Sequence, residues 1–161
     1  MTKRLIQHGK CFDVDDNDEN IIKDLITILE TDDDPLERMA AAENLGEMGN
    51  QIAVAPLINA LNDRRELSRW GAAEALGQLG NPKAIPPLLK ALGDTSSHVR
   101  ENAAIALGMI GDDKVINHLS LAIDQEDAYP NAVKERNEAV KKAAHEAIEK
   151  IRTRRVDITQ Q

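Results

Sequence analysis

One stretch of the sequence, RWGAAEALGQLG (69–80), occurs three times with small changes. Its counterparts are RMAAAENLGEMG (38–49) and RENAAIALGMIG (100–111), so successive copies start 31 residues apart. The region before each copy repeats at the same interval, because APLINALND (55–63) aligns with PPLLKALGD (86–94). Self-similarity at a fixed period of this length is typical of a stacked repeat protein. The repeated unit therefore decides the fold.

Each unit has the pattern of two helices joined by a short turn. In the third unit, KAIPPLLKALG places apolar residues at helical spacing, and its two prolines fall near the start, where their missing N–H groups cost little. Asp94 marks the following turn, and Ser96 or Ser97 is a candidate N-cap for the second helix. The glycines expected to stop the second helices are Gly49, Gly80 and Gly111.

The periodic region covers residues 20–152 and divides into four hairpins at about 20–49, 50–80, 81–111 and 112–152. The fourth contains about ten inserted residues within QEDAYPNAVKER, which we expect to lengthen the last helix at its start, after Pro130 and Asn131. One hairpin cannot bury its apolar stripe alone, whereas a stack of hairpins forms a continuous core. The sequence therefore predicts an all-α, right-handed α-solenoid (α-α superhelix), with a flexible acidic arm over residues 1–19 and a C-terminal tail over 153–161.

Charge and cysteine content limit the partners and the compartment. The net charge is -8, and ten acidic residues with one base lie between residues 13 and 34. A surface of this sign gains no counterion release from nucleic acid or anionic lipid, so both partners are disfavoured. The chain has one cysteine, Cys11, no start of signal-peptide type and no apolar run long enough to cross a membrane. We therefore expect a cytoplasmic protein without an internal disulfide.

The pattern R-x-x-A-A-x-A-L-G-x-x-G, present from Arg69 and again from Arg100, resembles the short HEAT-like repeats of the phycobilisome-lyase type. The resemblance implies an armadillo-like solenoid in which turn aspartates and helix-starting arginines form a ladder. Asp63 with Arg69, and Asp94 with Arg100, match its members. Such repeats occur in scaffolds, chromophore lyases, hydroxylases and DNA-repair enzymes, so the resemblance implies the fold more narrowly than the function.

The last unit departs from this pattern. Lys141 stands where the other units have arginine, and His145 stands where they have the second small alanine. Terminal repeats are commonly atypical because one side faces water, so we expect these changes to cap the stack. A recognition feature is the alternative. The basic residues that follow, among them Arg152, Arg154 and Arg155, are expected to form a solvated helix terminus.

One catalytic family with similar repeats is the iron-dependent deoxyhypusine hydroxylases, which carry His-Glu pairs six residues before the Leu-Gly of the repeat. The matching positions here hold Met39-Ala40, Trp70-Gly71, Glu101-Asn102 and Lys142-Ala143. The pair His145-Glu146 lies three residues out of that register, and a single histidine cannot form a multi-ligand metal site. We therefore expect no catalytic residue, no metal and no cofactor.

A candidate binding surface follows from helical geometry. Positions one, five and nine after the repeat's arginine point away from the core, and second helices line the concave face of related solenoids. The predicted partner-binding residues are Met39, Glu43, Trp70, Glu74, Gln78, Glu101, Ile105, Met109 and Glu146. A tryptophan among acids is typical of a protein-recognition hot spot. The alternative is that Trp70 packs flat on a neighbouring helix.

These residues favour a noncatalytic protein-protein interaction module, a scaffold or adaptor, whose partner has a basic or basic-apolar segment. The acidic face disfavours a DNA-repair enzyme, which needs Lys and Arg to meet phosphates. The main alternative is a subunit of a phycobilin lyase-like or other cofactor-attachment enzyme, which would need a bilin or another cofactor and a second HEAT-like subunit. A hydroxylase is the third reading. The sequence leaves the oligomeric state open.

Overall fold

The computed structural model describes residues 4–7, 10–13, 18–126 and 134–159, and side chains over 19–124 and 138–154. The helices within these ranges are α1 (Asp18–Thr31), α2 (Pro35–Met48), α3 (Val54–Ala60), α4 (Glu66–Leu79), α5 (Ile85–Ala91), α6 (Ser97–Ile110), α7 (Asp113–Glu126) and α8 (Lys134–Thr159). Short 3-10 turns at Gln51–Ala53 and Pro82–Ala84 lead into α3 and α5. The helices form four successive hairpins, and the predicted all-α solenoid is confirmed.

The hairpins stack in chain order. The second helices contact one another in the sequence α2, α4, α6, α8, and each first helix contacts the second helix of its own hairpin. Leucines at equivalent positions fill the space between the two layers. Leu45, Leu76 and Leu107 of the second helices are 0% exposed. One continuous hydrophobic core therefore runs through all four hairpins.

Small residues let the second helices approach closely. A Cβ added to Gly46, Gly77 or Gly108 would lie 2.9, 3.0 or 2.7 Å from the Cα of an alanine on the next second helix. These glycines are therefore needed for contact at the backbone level. The first helices contact one another much less. Because the more closely spaced layer lies on the inside of a bend, we infer that the second helices line the concave side.

Side-chain caps define the turns of the stack. Asp34 caps α2 by accepting a hydrogen bond from the N–H of Leu36, and Ser96 caps α6 by accepting one from Val99. Gly49 and Gly80 close α2 and α4 in the left-handed conformation, with φ of 71° and 67°. The expected stop signals are confirmed there. Gly111 also ends its helix but has extended backbone, with φ of -72°.

The segment before α1 contains regular structure that was not expected. Strands β1 (Arg4–Gln7) and β2 (Lys10–Asp13) pair antiparallel, with Leu5 opposite Phe12. Two residues separate the strands, and the second of them is Gly9, a spacing that is typical of a two-residue hairpin. The sequence did not predict these strands within the flexible acidic arm expected over residues 1–19. Helix α1 also begins at Asp18, before the expected boundary.

The last helix is longer than its counterparts, 26 residues against 14 in α2, α4 and α6. It begins farther before the repeat position of Lys141 than α6 does before Arg100, as expected from the insertion. Pro130 and Asn131, after which we expected it to start, lie outside the described residues. It also continues through Thr159, so the helix includes most of the segment expected to be a tail.

Candidate functional site

The second helices present the predicted surface residues on one side of the stack. Each of the nine side chains is at least partly accessible, in keeping with positions that point away from the core. Five of them are partly buried: Met39, Glu43, Trp70, Glu74 and Glu101. The other four are exposed: Gln78, Ile105, Met109 and Glu146. We call this set the second-helix face.

Two glutamates form the acidic part of the second-helix face. Glu43 in α2 and Glu74 in α4 occupy equivalent positions of adjacent units, and Glu47 lies one turn beyond Glu43. Burial raises the pKa of Glu43, and the negative charges of Glu74 and Glu47 raise it further. Burial and these two charges therefore disfavour the ionised form of Glu43, and a nearby cation would favour it.

An apolar pair lies next to this acidic part. Ile105 and Met109, one turn apart on α6, have exposed fractions of 37% and 45%. The Met109 sulfur lies 3.3 Å from the place that a Cβ on Gly77 would take, so its side chain covers part of the contact between α4 and α6. The pair thus presents apolar surface across two helices.

Trp70 combines packing with partial exposure. Its ring packs against the core and stacks on His98 of α6, with ring centroids 5.6 Å apart and an angle of 23° between the planes. The ring N–H is buried and has no hydrogen-bond partner in the described chain. Trp70 therefore does not stand free in solvent, and packing accounts for much of its surface. Its role in recognition stays a prediction.

The histidine on Trp70 is held by a glutamate of the preceding hairpin. Glu66 Oε1 lies 3.0 Å from His98 Nδ1 and accepts a hydrogen bond of 2.6 Å from the Ser96 hydroxyl. The hydrogen bonds from Ser96 and His98 lower the pKa of Glu66. This network ties the first turn of α6 to the first turn of α4.

The predicted ladder of aspartates and arginines is present, but its pairing differs from the expected one. Arg69 donates to the backbone carbonyl of Asp63 in its own unit and forms its ion pair with Asp94 of the next unit. Arg38 likewise pairs with Asp63, at 2.9 Å. The expected pairs, Asp63 with Arg69 and Asp94 with Arg100, meet through the aspartate's backbone carbonyl instead. Each carboxylate therefore joins two hairpins.

Backbone hydrogen bonds orient the carboxylates of the turn aspartates. Asp63 Oδ1 accepts a hydrogen bond of 2.8 Å from the N–H of Arg65, and Asp94 Oδ1 accepts one of the same length from Ser96. Burial acts to raise the pKa of Asp94, but the hydrogen bonds from Arg69 and from the Ser96 backbone outweigh it and lower the pKa. The ladder is thus a structural feature that links successive hairpins.

One of the C-terminal basic residues has a structural role that the sequence did not show. Arg154 donates hydrogen bonds to the carbonyls of Gly108, Met109 and Gly111, at 2.7, 2.8 and 3.1 Å. These carbonyls lie at the C-terminal end of α6, where a cation is favourable. Arg154 is exposed, in line with the expected solvated terminus, but the sequence did not predict its contacts with the end of α6.

Larger polar residues occupy the positions where a further hairpin would pack. Glu149 stands in α8 at the position of Gly46, Gly77 and Gly108, and His145 at that of Ala104; both are exposed. At the other end, Asn44 of α2 replaces the alanine that faces the glycine in later units. A glutamate cannot enter a contact that already excludes a Cβ. The last unit therefore differs from the others at the positions through which they pack, and its role as a cap stays a prediction.

Metal-ligand side chains do not cluster in the described residues. Among them, no group of three or more His, Cys, Asp or Glu side chains could hold a metal ion. An open cleft of about 430 Å³ is lined by Asp63, Arg69, Lys90 and Asp94, but Arg69 and Asp94 are already paired there. None of the helices within the described ranges is both long and apolar enough to span a bilayer.

Comparison with known proteins identifies the type of repeat. A profile of HEAT repeats matches residues 22–96 and 55–130, which together cover more than half of the chain. Curated protein sequences give no significant match.

Two solved structures are similar over most of this chain. The complex of CpcE and CpcF of phycocyanin lyase from Nostoc sp. PCC7120 has 31% identity and a TM-score of 0.66, covering 91% of this chain and 58% of that chain. Human deoxyhypusine hydroxylase in complex with glycerol has 28% identity and a TM-score of 0.63, covering 83% and 44%. This chain therefore spans about half the length of each neighbour. With the profile match and the stacked hairpins, the chain belongs to the HEAT repeat family.

Proposed function

We propose that the protein is a noncatalytic protein-binding module, a scaffold or adaptor, that holds part of a partner protein on its second-helix face. The observation that carries this proposal is the exposed apolar pair, Ile105 and Met109, on the inferred concave side of the stack. Exposed apolar side chains next to charged ones are typical of protein interaction sites. A methionine can also adapt its shape to a partner.

The chemistry of the face suggests a basic-apolar partner segment. Glu43 and Glu74 offer negative charge on α2 and α4, and the apolar pair lies on the next second helix. A Lys or Arg side chain would relieve the repulsion that raises the pKa of Glu43. The same acids disfavour a nucleic-acid ligand, whose phosphates would meet like charge. We further propose a cytoplasmic location, supported by the single cysteine.

Affinity capture followed by mass spectrometry tests this proposal. Wild-type protein and two variants, Ile105→Asp and Ile52→Asp, are used to capture proteins from a lysate of the source cells. Ile52 is 59% exposed on the turn before α3, away from the second-helix face, so it is a matched control. We expect proteins that wild type and Ile52→Asp retain and Ile105→Asp loses. The same set of proteins on all three would contradict the proposal.

A Trp70→Ala variant separates recognition from packing at that position. Loss of capture with an unchanged melting temperature would support a direct contact between Trp70 and the partner. Strong destabilisation with unchanged capture would assign Trp70 to the core that it already contacts.

A second candidate function is a subunit of a phycobilin lyase-like or other cofactor-attachment enzyme. The similarity to the CpcE and CpcF complex of phycocyanin lyase, at 31% identity, favours it. The test is to mix purified protein with a bilin and record the absorption spectrum. A shifted band that is retained through gel filtration would support this reading, and an unchanged spectrum would favour the adaptor.

A further inference from the structure

Equivalent positions in the four second helices change in chemistry along the stack. Since the units repeat, each position in one helix has counterparts one hairpin away on the same side of the stack. The row five residues after the repeat's basic residue reads Glu43, Glu74, Ile105 and Glu146, and the row nine residues after it reads Glu47, Gln78, Met109 and Lys150. Along these two rows the residues are acidic on α2, acidic and polar on α4, apolar on α6, and of both charges on α8, where Glu146 and Lys150 lie.

Apolar residues occur in these two rows only on α6, in the third unit. Ile105 and Met109 replace residues that are charged or polar at the same positions of α2, α4 and α8. The other large apolar side chains that are well exposed in the described chain, Leu36, Ile52 and Leu121, lie on three different elements. The pair is therefore an adjacent apolar patch at a position where the repeat itself requires no apolar residue.

The acidic part of the face, Glu43 and Glu74, lies beside this patch, and its two like charges repel each other. Glu43 and Glu74 are neighbours across the contact between α2 and α4, and burial and the Glu74 charge both disfavour the ionisation of Glu43. On the opposite side of the patch, Lys142 of α8 pairs with Glu146 at 3.9 Å, and Lys150 adds a positive charge. The α8 end thus carries two lysines beside Glu146, whereas Glu43, Glu47 and Glu74 at the other end are all acidic.

We propose that the second-helix face binds a polypeptide segment in which basic and apolar residues are separated into two blocks, with the basic block over Glu43 and Glu74 and the apolar block over Ile105 and Met109. This inference rests on the proposed function and adds the order in which the partner's residues meet the helices. It follows from charge complementarity, because a basic block meets only acidic charges at Glu43 and Glu74, whereas on α8 it would meet Lys142 and Lys150 beside Glu146.

Helix geometry sets the spacing of the two blocks. Packed helices lie about 8–10 Å apart, and an extended chain advances about 3.3 Å per residue. A partner that crosses the helices in an extended conformation would therefore place its apolar block about three residues from its basic block. A peptide in which the two residue types alternate cannot satisfy both parts of the face at once.

Two fluorescent peptides of identical composition test the order. One carries two lysines followed, after a gap of two glycine or serine residues, by two leucines; in the other, the lysines and leucines alternate. Fluorescence anisotropy is measured with the full chain and with Ile105→Asp and Glu74→Lys. The controls are Ile52→Asp and Glu30→Lys, which make the same changes at exposed positions on the turn before α3 and on α1.

We expect the peptide with separate lysine and leucine blocks, the two-block peptide, to bind at least about tenfold more tightly than the alternating one. One well-placed contact can supply a difference of this size. Ile105→Asp and Glu74→Lys each weaken binding of the two-block peptide about tenfold, and the controls leave it within about twofold. Circular dichroism shows that each variant is folded, and Met109→Asp replaces Ile105→Asp if the latter unfolds.

The outcomes separate this inference from the proposed function. Equal affinity for both peptides, with Ile105→Asp still harmful, would overturn the order and leave the second-helix face as a general binding surface. Failure of the two-block peptide to bind would also overturn the proposed order of basic and apolar residues. Lysate capture alone would then decide the proposed function. Binding that Ile105→Asp and Glu74→Lys leave intact would overturn both.

Discussion

Arg69 of α4 and Asp94 of the following hairpin form a two-point ion pair, with Nε 2.7 Å from Oδ2 and Nη2 2.8 Å from Oδ1. The same guanidinium donates to the backbone carbonyl of Asp63 at 2.9 Å. One side chain therefore fixes the turn of its own hairpin and that of the next. Both members of the pair are largely removed from water, with side-chain exposures of 14% and 12%. Such pairs are costly to break because the remaining charge is left without its partner.

Replacement of Arg69 by methionine is expected to lower the free energy of unfolding by about 2–4 kcal/mol. The methionine keeps much of the apolar contact but leaves the Asp94 carboxylate with the Ser96 N–H and Thr95 hydroxyl as partners. Urea unfolding followed by circular dichroism measures the loss. The matched control is Arg152→Met, whose pair with Glu149 is 59% and 66% exposed and is expected to contribute less than about 1 kcal/mol. Similar losses in the two variants would contradict a special role for the ladder.

Gly108→Ala is expected to destabilise the protein by about 1–3 kcal/mol, although alanine is the better helix former. A Cβ at this position would lie 2.7 Å from the Cα of Ala147, so α6 and α8 would have to move apart. Thermal unfolding measures the effect. Gly93→Ala is the control, because the nearest atom to its Cβ lies 3.5 Å away. A stabilised Gly108→Ala variant would show that the two helices do not touch at this glycine.

The 31-residue period was sufficient to predict the hairpins, since Leu76 and its counterparts recur at the spacing that a stack requires. The pairing of the ladder could not be predicted in this way. Asp94 lies six residues before Arg100 and 25 after Arg69, and sequence spacing does not tell which guanidinium its carboxylate meets. The structure shows that the carboxylate meets the more distant one.

Contacts without an equivalent in other repeats were also missed. Arg154 meets the end of α6, 46 residues from Gly108, and the earlier units contain no comparable arginine from which to infer this contact. The two strands before α1 left only a short signal, the glycine in a two-residue connection. Helical periodicity explains why the residues of the second-helix face are at least partly accessible, whereas their binding role depends on a partner and stays a prediction.

Leu107→Ala is expected to cost about 2–5 kcal/mol of unfolding free energy, the usual range for a buried leucine. Its side chain is 0% exposed within the continuous core. Leu121→Ala is the control, because Leu121 on α7 is 56% exposed. Chemical unfolding should show a loss below about 0.5 kcal/mol for the control. A loss as small for Leu107→Ala would mean that the repeat register is wrong.

Arg154→Ala is expected to weaken the junction between α6 and α8. The variant loses the donors to the carbonyls of Gly108 and Gly111, and the extended backbone at Gly111 does not form the left-handed cap found at Gly80. We expect a loss of about 1–2 kcal/mol and faster amide hydrogen exchange in the last turn of α6. Exchange that is unchanged there would show that Arg154 does not hold this helix end.

Glu43→Gln is expected to raise the melting temperature at pH 7. Burial, then the charges of Glu74 and Glu47, raise the pKa of Glu43 above its ordinary value of 4.5, so its ionisation opposes folding. When the pKa of a carboxyl group is higher in the folded than in the unfolded protein, its protonated form favours the folded state. This stability is fully present below the unfolded pKa and is lost as pH rises through the folded pKa. The wild type should therefore lose stability relative to Glu43→Gln as pH increases above 4.5, and the two melting curves should converge below that value.

Glu30→Gln on α1 is the control for this prediction, because Glu30 is exposed and lies away from the second-helix face. Its melting temperature should follow that of wild type across the whole pH range. If Glu43→Gln also follows wild type, the three carboxylates do not interact, and the electrostatic reason for a basic partner segment disappears. If Glu43→Gln is more stable at pH 7 but binds the two-block peptide more weakly, the Glu43 carboxylate opposes folding and contributes to binding.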